Sequence, residues 1–361
     1  MRDLAAGFFA PWIIYALILV LHLVLPARSI VGYVRDEKTS EPLQYRLNGL
    51  LVLITMIGIW AILGYLQILP WNWLYIHRWA GLAGACSLGL ILSFGLVLPV
   101  QATGKSLLAD LFLGRLKNPQ FLMGRLDAKM FLYLAGATLL ALNIASFFSH
   151  HLLTFGAVRS PGVVLYTCLF FWFIIDYLVF EHVHLYTYDL FAERVGFKLC
   201  WGCLTFYPYV YAVGLWATAG LPDPHTPIIV LVVDAILFFV GWMFARGANM
   251  QKYYFKTAPN RVFLGIFHPA TVTNGSQALL CSGFWGVSRH VNYLGEILMA
   301  TGLTLSLGWP SVWPAWIYPL YYVLLLIPRE RDDEHRCAAK YGHLWHVYVR
   351  RVPKRIIPGI Y

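Results

Sequence analysis

The sequence predicts an all-α polytopic membrane protein with about nine or ten transmembrane helices. Of its 361 residues, 59% are hydrophobic and only 12% are charged, and the mean hydropathy is +0.64. Apolar windows of about the length that crosses a bilayer recur along the whole chain. The first window lacks a small-residue cleavage site, so we expect a retained span and not a removed signal peptide.

The predicted spans make up one integral membrane domain over 1–361. They cover 7–25, 48–69, 79–100, 130–149, 162–182, 200–219, 227–245, 294–308 and 311–327. Residues 278–292 are more polar, and we expect a short re-entrant or interfacial helix there. We expect N-terminal helices over 1–160 and a catalytic half over 161–361.

Lysine and arginine concentrate in alternate loops, namely 26–47, 101–129, 183–199 and 246–277, and again in the tail after Arg329. The positive-inside rule predicts that these loops and the C-terminus are cytoplasmic. The membrane is then the endoplasmic reticulum in a eukaryote or the inner membrane in a bacterium. Topology also explains the net charge of +10, so no nucleic-acid partner is expected. The six cysteines are scattered, mostly in apolar runs, and indicate no disulfide framework.

Two lysines directly after the seventh span are candidates for phosphate binding. Lys252 and Lys256 are one helical turn apart, so both ammonium groups lie on one face. Two cations at this spacing suit a phosphate, including the additional phosphate of NADPH. The alternative is that they meet anionic lipid headgroups.

A second polar group lies before the apolar run at 294–308. Asn292 and Glu296 are one turn apart, with Arg289 and Tyr293 beside them and Trp285 upstream. An amide and a carboxylate can bind ribose hydroxyls or a carboxamide, and an indole can stack on a ring. The alternative is a helix cap with an isolated acid at the membrane surface.

A third group lies in the tail, where Arg329, Asp333, Cys337 and Tyr341 follow at four-residue steps and share one helical face. The alternative is an intrahelical ion pair between Arg329 and Asp333. Together the three segments offer partners for phosphate, ribose and ring on one side of the membrane. This convergence favours a dinucleotide pocket in the C-terminal half that opens to the cytoplasm.

Acidic side chains near the end of the fifth span are candidates for catalysis. Glu181 and Asp189 lie there together with Tyr177, and ionisable groups at membrane depth are often functional. The alternative is a polar cluster that pairs neighbouring spans. No metal site is predicted, because His182 and His184 point to different helical faces and the cysteine pair at 200 and 203 has no partner pair.

Several motifs resemble the membrane-embedded sterol reductase family, which includes sterol delta-14 reductases, 7-dehydrocholesterol reductases, side-chain sterol reductases and the membrane domain of the lamin B receptor. The most specific are GFWG at 283–286, RHVNYLGE at 289–296 and DEHRCAAKYG at 333–342. LGRLKNP at 113–119, IDY at 175–177 and RGAN at 246–249 extend the resemblance through most of the chain.

The resemblance implies an NADPH-dependent reductase of a sterol carbon–carbon double bond, with the ring delta-7 or delta-14 bond favoured over the side-chain bond. It places cofactor positions on Lys252, Lys256, Trp285, Asn292, Glu296, Arg329, Asp333 and Tyr341. A proton must reach the alkene before hydride attack, and we expect Tyr177, Glu181 or Asp189 to belong to the donor network. The chain departs from the family pattern at Val291, where proline is usual, and at Cys203, where ring-bond reductases have aspartate.

Two other functions fit parts of the pattern. One is a membrane methyltransferase of the isoprenylcysteine type, because those proteins also carry an Arg-His-x-x-Tyr motif followed by glycine and an acid. The other is a sterol-binding protein without catalytic activity. For the reductase we expect a sterol substrate and membrane lipid as partners, with no obligate protein partner.

Overall fold

The computed structural model describes residues 2–36, 39–156 and 160–361. Within these residues the chain is mostly helical, as predicted, with three two-stranded antiparallel sheets in regions that were predicted to be loops or an interfacial helix. It forms two compact units, one ending at His225 and the other beginning at Thr226. Each unit is described by itself.

The first unit contains twelve α-helices, one π-helix and four strands within its described residues. In chain order they are α1 (Arg2–Val24), β1 (Arg28–Arg35), β2 (Pro42–Leu47), α2 (Gly49–Tyr65), α3 (Trp73–Ile76), α4 (Arg78–Val97), α5 (Leu107–Leu113), β3 (Gln120–Phe121), β4 (Leu126–Asp127), α6 (Ala128–Phe155), α7 (Pro161–Val179), α8 (Glu181–His184), α9 (Tyr188–Phe191), α10 (Phe197–Trp201), the π-helix (Gly202–Phe206), α11 (Tyr207–Val210) and α12 (Val213–Thr218).

Helix α6 forms the core of this unit. It packs against α1, α2, α3, α7, α11, α12 and the π-helix, and most of its side chains are buried. Asp127 starts the helix by accepting a hydrogen bond from the Met130 N–H at 3.0 Å. Gly156, with φ of 79°, ends it.

Among the described residues, five helices are long and apolar enough to cross a membrane, namely α1 from Asp3, α4, α6, α7 and the helix Ile228–Thr257 of the second unit, while α2 is apolar but shorter. The total of nine or ten spans stays a prediction. The predicted span at 200–219 also stays a prediction; in the structure this segment is divided into the end of α10, the π-helix, α11 and α12. Pro208 lacks the N–H that a continuous α-helix requires.

The second unit consists of α13 (Ile228–Thr257), β5 (Thr271–Thr273), β6 (Ala278–Leu280), α14 (Phe284–Val287), α15 (Val291–Ser306), a 3₁₀-helix (Trp313–Trp316), α16 (Ile317–Tyr341) and α17 (His343–Arg351). The interfacial helix expected over 278–292 is confined to α14, and its first residues form β6. Strands β5 and β6 pair antiparallel.

Helices α13 and α15 pack backbone to backbone. A Cβ atom on Gly295 would lie 2.4 Å from the Ala245 nitrogen and 2.5 Å from the Gly241 carbonyl oxygen. A Cβ atom on Gly302 would lie 2.9 Å from the Asp234 carbonyl oxygen. Small residues at such an interface let membrane helices approach closely. This contact sets the position of the lysines near the end of α13 relative to the polar start of α15.

Candidate functional site

Three lysines surround one face of the second unit. The Lys252 ammonium lies 5.7 Å from the centre of the Trp285 ring, a cation–π distance. The like charges of Lys340 and Lys252 help to lower the pKa of Lys256, so α13 and the end of α16 lie near each other here. Lys340 was not predicted as a site residue. Its position directly before Tyr341 in the DEHRCAAKYG motif was the available signal.

Hydrogen bonds to α13 fix the position of Trp285. Its indole N–H donates to the Ala248 carbonyl at 2.8 Å. The Gln251 side chain accepts from the Phe284 N–H at 3.0 Å and donates to the Ser282 carbonyl at 3.1 Å. Gly283, with φ of 61°, makes the turn between these contacts. The indole therefore has a fixed orientation, as ring stacking requires.

Asn292 carries an unsatisfied polar atom at the start of α15. Its side-chain carbonyl oxygen is buried and has no hydrogen-bond partner among the residues that the structure describes. A buried acceptor without a partner costs free energy, so a ligand donor is expected at this position. Tyr293 stacks on His290 with ring centres 5.0 Å apart. Glu296 follows one turn along the helix.

The predicted face of α16 joins the same neighbourhood. Cys337 interacts electrostatically with Asp333, Lys252 and Lys340. Burial is the main cause that raises the pKa of the Cys337 thiol to about 12, so this thiol stays neutral. Arg329 and Tyr341 lie on the same helix at the predicted four-residue steps. The structure thus brings parts of all three predicted segments together within one unit.

Arg289 has partners other than those expected of a cofactor ligand. Its guanidinium is buried and donates to the Glu334 carboxylate at 2.6 Å and to the carbonyls of Val352 and Pro353 at 2.7 and 2.9 Å. The Arg289 N–H also donates to the Lys354 carbonyl at 2.9 Å. These bonds fasten the segment 352–354 to the start of α15. Arg289 therefore stabilises the backbone next to the site.

Glu334 and Glu330 extend this support into an ion-pair network. The ligand atoms of His290, Glu330 and Glu334 all lie within 4.8 Å of one another, a spacing that could hold a metal ion. Both carboxylates already face cations, since Arg289 contacts Glu334 and Arg355 lies 3.7 Å from Glu330. Burial raises the pKa of Glu334, but the hydrogen bonds and charges of His290 and Arg289 outweigh it and leave the pKa below its usual value. A divalent cation would add to this positive charge, so we interpret the group as structural.

The three predicted catalytic residues also lie close together, within the first unit. Tyr177 interacts electrostatically with both Asp189 and Glu181. The Glu181 carboxylate is buried and accepts a hydrogen bond from the Gly49 N–H, the first residue of α2, at 2.9 Å. Burial raises the pKa of Glu181 to about 7, although the bond from Gly49 opposes the rise. This carboxyl group is therefore able to hold a proton near neutral pH.

Two further side chains stabilise this cluster. The His184 ring packs against the Tyr177 ring with centres 4.0 Å apart. Lys129, fully buried near the start of α6, donates to the Leu190 carbonyl at 2.7 Å and to the Asn118 side chain at 2.9 Å. Lys129 thereby fixes the segment that carries Asp189. Lys129 was not predicted as a site residue, although it stands at the edge of an apolar window and within the stretch 127–131 that resembles the sterol reductase family.

Comparison with known proteins identifies the family of this chain. Residues 5–361 match the model of the Ergosterol biosynthesis ERG4/ERG24 family. The chain belongs to this family. The predicted sterol reductase family and the role in steroid biosynthesis are therefore confirmed, and the chain is an oxidoreductase.

Curated relatives cover nearly the whole chain. The Delta(14)-sterol reductase of Arabidopsis thaliana is 35% identical over 354 residues, which are 94% of this chain and 91% of the relative. The Delta(14)-sterol reductase TM7SF2 of Mus musculus is 31% identical over 98% of this chain and 86% of its own length. The Delta(14)-sterol reductase ERG24 of Saccharomyces cerevisiae is 29% identical, with coverages of 96% and 82%.

Proposed function

We propose that the protein is an NADPH-dependent sterol reductase that saturates the C14 double bond. The observation that carries the cofactor assignment is the cluster of Lys252, Lys256 and Lys340 beside Trp285 and the unsatisfied Asn292 oxygen. The relatives described above are Delta(14)-sterol reductases, which supports the C14 bond. The sequence had favoured the delta-7 or delta-14 ring bond without separating them.

The residues of the second unit fit a reduced dinucleotide that carries a third phosphate. The three lysines supply the charge that phosphates require, and a ribose hydroxyl or carboxamide N–H can donate to the Asn292 oxygen. Trp285 offers a ring face, and Glu296, Arg329, Asp333, Tyr293 and Tyr341 complete the set. Bound NADPH supplies hydride. Positive-inside topology supports a cytoplasmic location for this face.

Proton delivery is the task we assign to the first unit. An isolated sterol double bond is not polarised, so a proton must be added at one carbon before the other becomes electrophilic enough to accept hydride. Burial raises the pKa of Glu181 to about 7, so a fraction of this carboxyl group holds its proton at neutral pH, and Tyr177 interacts electrostatically with both Glu181 and Asp189. We propose that Glu181 donates the proton directly or through Tyr177.

Turnover by purified protein in detergent tests the proposal. With a delta-14-unsaturated sterol, we expect consumption of one NADPH for each double bond saturated. Deuterium from labelled NADPH should appear at one of the two carbons, and deuterium from D₂O should appear at the other. The same assay with a delta-7-unsaturated and a side-chain-unsaturated sterol shows which of the three double bonds the protein reduces.

Thermal unfolding provides the second test. NADPH should raise the unfolding temperature, and S-adenosylmethionine should leave it unchanged. Stabilisation by S-adenosylmethionine alone would refute the reductase assignment and favour the methyltransferase. Binding of sterol without NADPH oxidation for any of the three sterols would favour the non-catalytic function.

A further inference from the structure

A helical irregularity lies beside the proposed proton donors. Over Gly202–Phe206 the backbone forms a π-helix, and the Tyr207 N–H donates to the Gly202 carbonyl five residues earlier. Pro208 explains this geometry, because it has no N–H to donate to the Leu204 carbonyl and its ring would clash with that oxygen in an α-helix. Single π-helical turns inside α-helices occur frequently at functional sites.

Two distant side chains satisfy carbonyls in this segment. The Tyr15 hydroxyl, buried on α1, donates to the Leu204 carbonyl at 2.5 Å. The Asn143 amide, buried on α6, donates to the Pro208 carbonyl at 2.9 Å. Tyr15 therefore supplies the hydrogen bond that the Leu204 carbonyl loses at Pro208. Without the Tyr15 hydroxyl, the buried Leu204 carbonyl would lose this hydrogen bond, and such a loss costs free energy in a membrane interior.

Helix α6 leaves the π-helix no room to shift. A Cβ atom on Gly136 would lie 2.3 Å from the Cys203 carbonyl oxygen and 2.7 Å from the Tyr207 ring. Because the two backbones are in direct contact, a change from π to α geometry would have to be taken up by rotation of the segment. One residue step in an α-helix corresponds to about 100°.

The π-helix sets the direction of the Cys203 side chain. Cys203 is buried and lies within electrostatic range of Asp189, Tyr15 and Tyr177. Helix α6 links the two regions, because its Gly136 contacts the π-helix and its Tyr133, one turn earlier, has its ring centre 6.3 Å from that of Tyr177. The thiol thus belongs to the same cluster as the proposed donors. A rotation of roughly one residue step would replace Cys203 in this cluster with a neighbouring residue.

We propose that Tyr15 is a positioning residue for the protonation step. Through the Leu204 carbonyl it holds the π-helix in register, and the π-helix keeps Cys203 near Tyr177 and Asp189. The inference rests on the proposed function, because it assigns the cluster a role in proton delivery. It adds a residue of α1 and a backbone geometry imposed by Pro208 to the determinants of that step.

Three variants test the proposal, with Tyr15→Phe and Pro208→Ala as the probes. Tyr166→Phe is the matched control, since Tyr166 is also buried and bonds to a backbone group, at Leu215, away from the π-helix. Tyr15→Phe removes only the hydroxyl. Pro208→Ala restores an N–H that can donate to the Leu204 carbonyl, so it permits α geometry and should not lower the unfolding temperature.

Both probes should lower kcat about tenfold or more, because a proton donor displaced by even 1 Å loses much of its effect. The KM for NADPH should stay within about twofold of wild type, since the dinucleotide does not contact this cluster in the proposal. The solvent deuterium isotope effect on kcat should increase in both, as proton transfer becomes slower. Tyr166→Phe should match wild type in all three measurements.

Amide hydrogen exchange over 202–206 gives a readout that does not depend on turnover. Exchange should accelerate in Tyr15→Phe and stay slow in Tyr166→Phe. Wild-type kcat and isotope effect in both probes would overturn the inference, as would unchanged exchange in Tyr15→Phe. If wild-type protein reduces no sterol, the proposed function fails, and the exchange experiment still decides whether Tyr15 holds the π-helix.

Discussion

Two adjacent acids on α16, Asp333 and Glu334, should affect different properties of the protein when their charge is removed. The Glu334 carboxylate contacts the Arg289 guanidinium at 2.6 Å, and the two side chains are 14% and 3% exposed. Asp333, one residue earlier, belongs to the proposed cofactor face. We expect Glu334→Gln to lower stability and Asp333→Asn to lower NADPH affinity.

The magnitude follows from the geometry of the Arg289 pair. Loss of one partner of a buried ion pair costs about 3–5 kcal/mol when the remaining charge is left unpaired. Glutamine keeps a carbonyl acceptor near Arg289 but loses the charge, so we expect a loss of about 2 kcal/mol, in the range of one charged hydrogen bond. Asp333→Asn should change stability by less than about 0.5 kcal/mol.

Unfolding in mixed micelles of mild detergent and dodecyl sulfate measures these differences. The dependence on pH gives an additional check, because the folded-state pKa of Glu334 is depressed. The contribution of Glu334 should be present above the pKa of the unfolded carboxyl and should disappear as the pH falls through the depressed value. Equal stability loss in the two variants, or none in Glu334→Gln, would refute the interpretation of this network as structural.

Three further predictions concern other parts of the molecule. In the wild type, kcat should fall as the pH rises through about 7, because Glu181 then loses its proton. Glu181→Gln should lower kcat and remove this decrease from the pH–rate profile. An unchanged profile in the variant would exclude Glu181 as the donor. Asn292→Ala should raise the Kd for NADPH about tenfold through loss of the hydrogen bond to the buried oxygen, as measured by calorimetry, with Asn274→Ala in the exposed turn between β5 and β6 as the control. Gly295→Leu should separate α13 from α15 and abolish NADPH-dependent thermal stabilisation, whereas retained stabilisation would contradict the close helix contact.

Sequence periodicity predicted the local grouping of the cofactor residues because helical spacing is short-range information. Lys252 with Lys256, and Arg329 with Asp333, lie on single helices where a four-residue step defines a face. The partners of Arg289 could not be predicted in this way. They lie 45 and more residues away in the chain, in contacts that only the tertiary fold determines.

The broken helix at 200–219 and the three hairpins mark a second limit. Hydropathy alone treats residues 200–219 as one apolar window, although Pro208 predicts a local break. The π-helix at 202–206 also contacts Tyr15 and Gly136, and these residues are too remote in sequence for a local pattern to predict the contacts. The hairpins were not predicted because few of their apolar residues alternate as in a strand. Positive charge in the loops predicts on which side of the membrane a loop lies, but not its backbone structure.

The attachment of segment 352–356 to the start of α15 has a consequence for biosynthesis. The N–H groups of Arg289 and His290 donate to the carbonyls of Lys354 and Arg355, and the Ser288 hydroxyl donates to that of Ile356. These carbonyls are synthesised after every helix of the unit. During translation the membrane helices can therefore insert and pack while the end of the loop before Asn292 still lacks these partners. A nascent chain halted before residue 352 should be inserted in the membrane yet unable to retain NADPH, so cofactor binding would report that segment 352–356 has been made and attached.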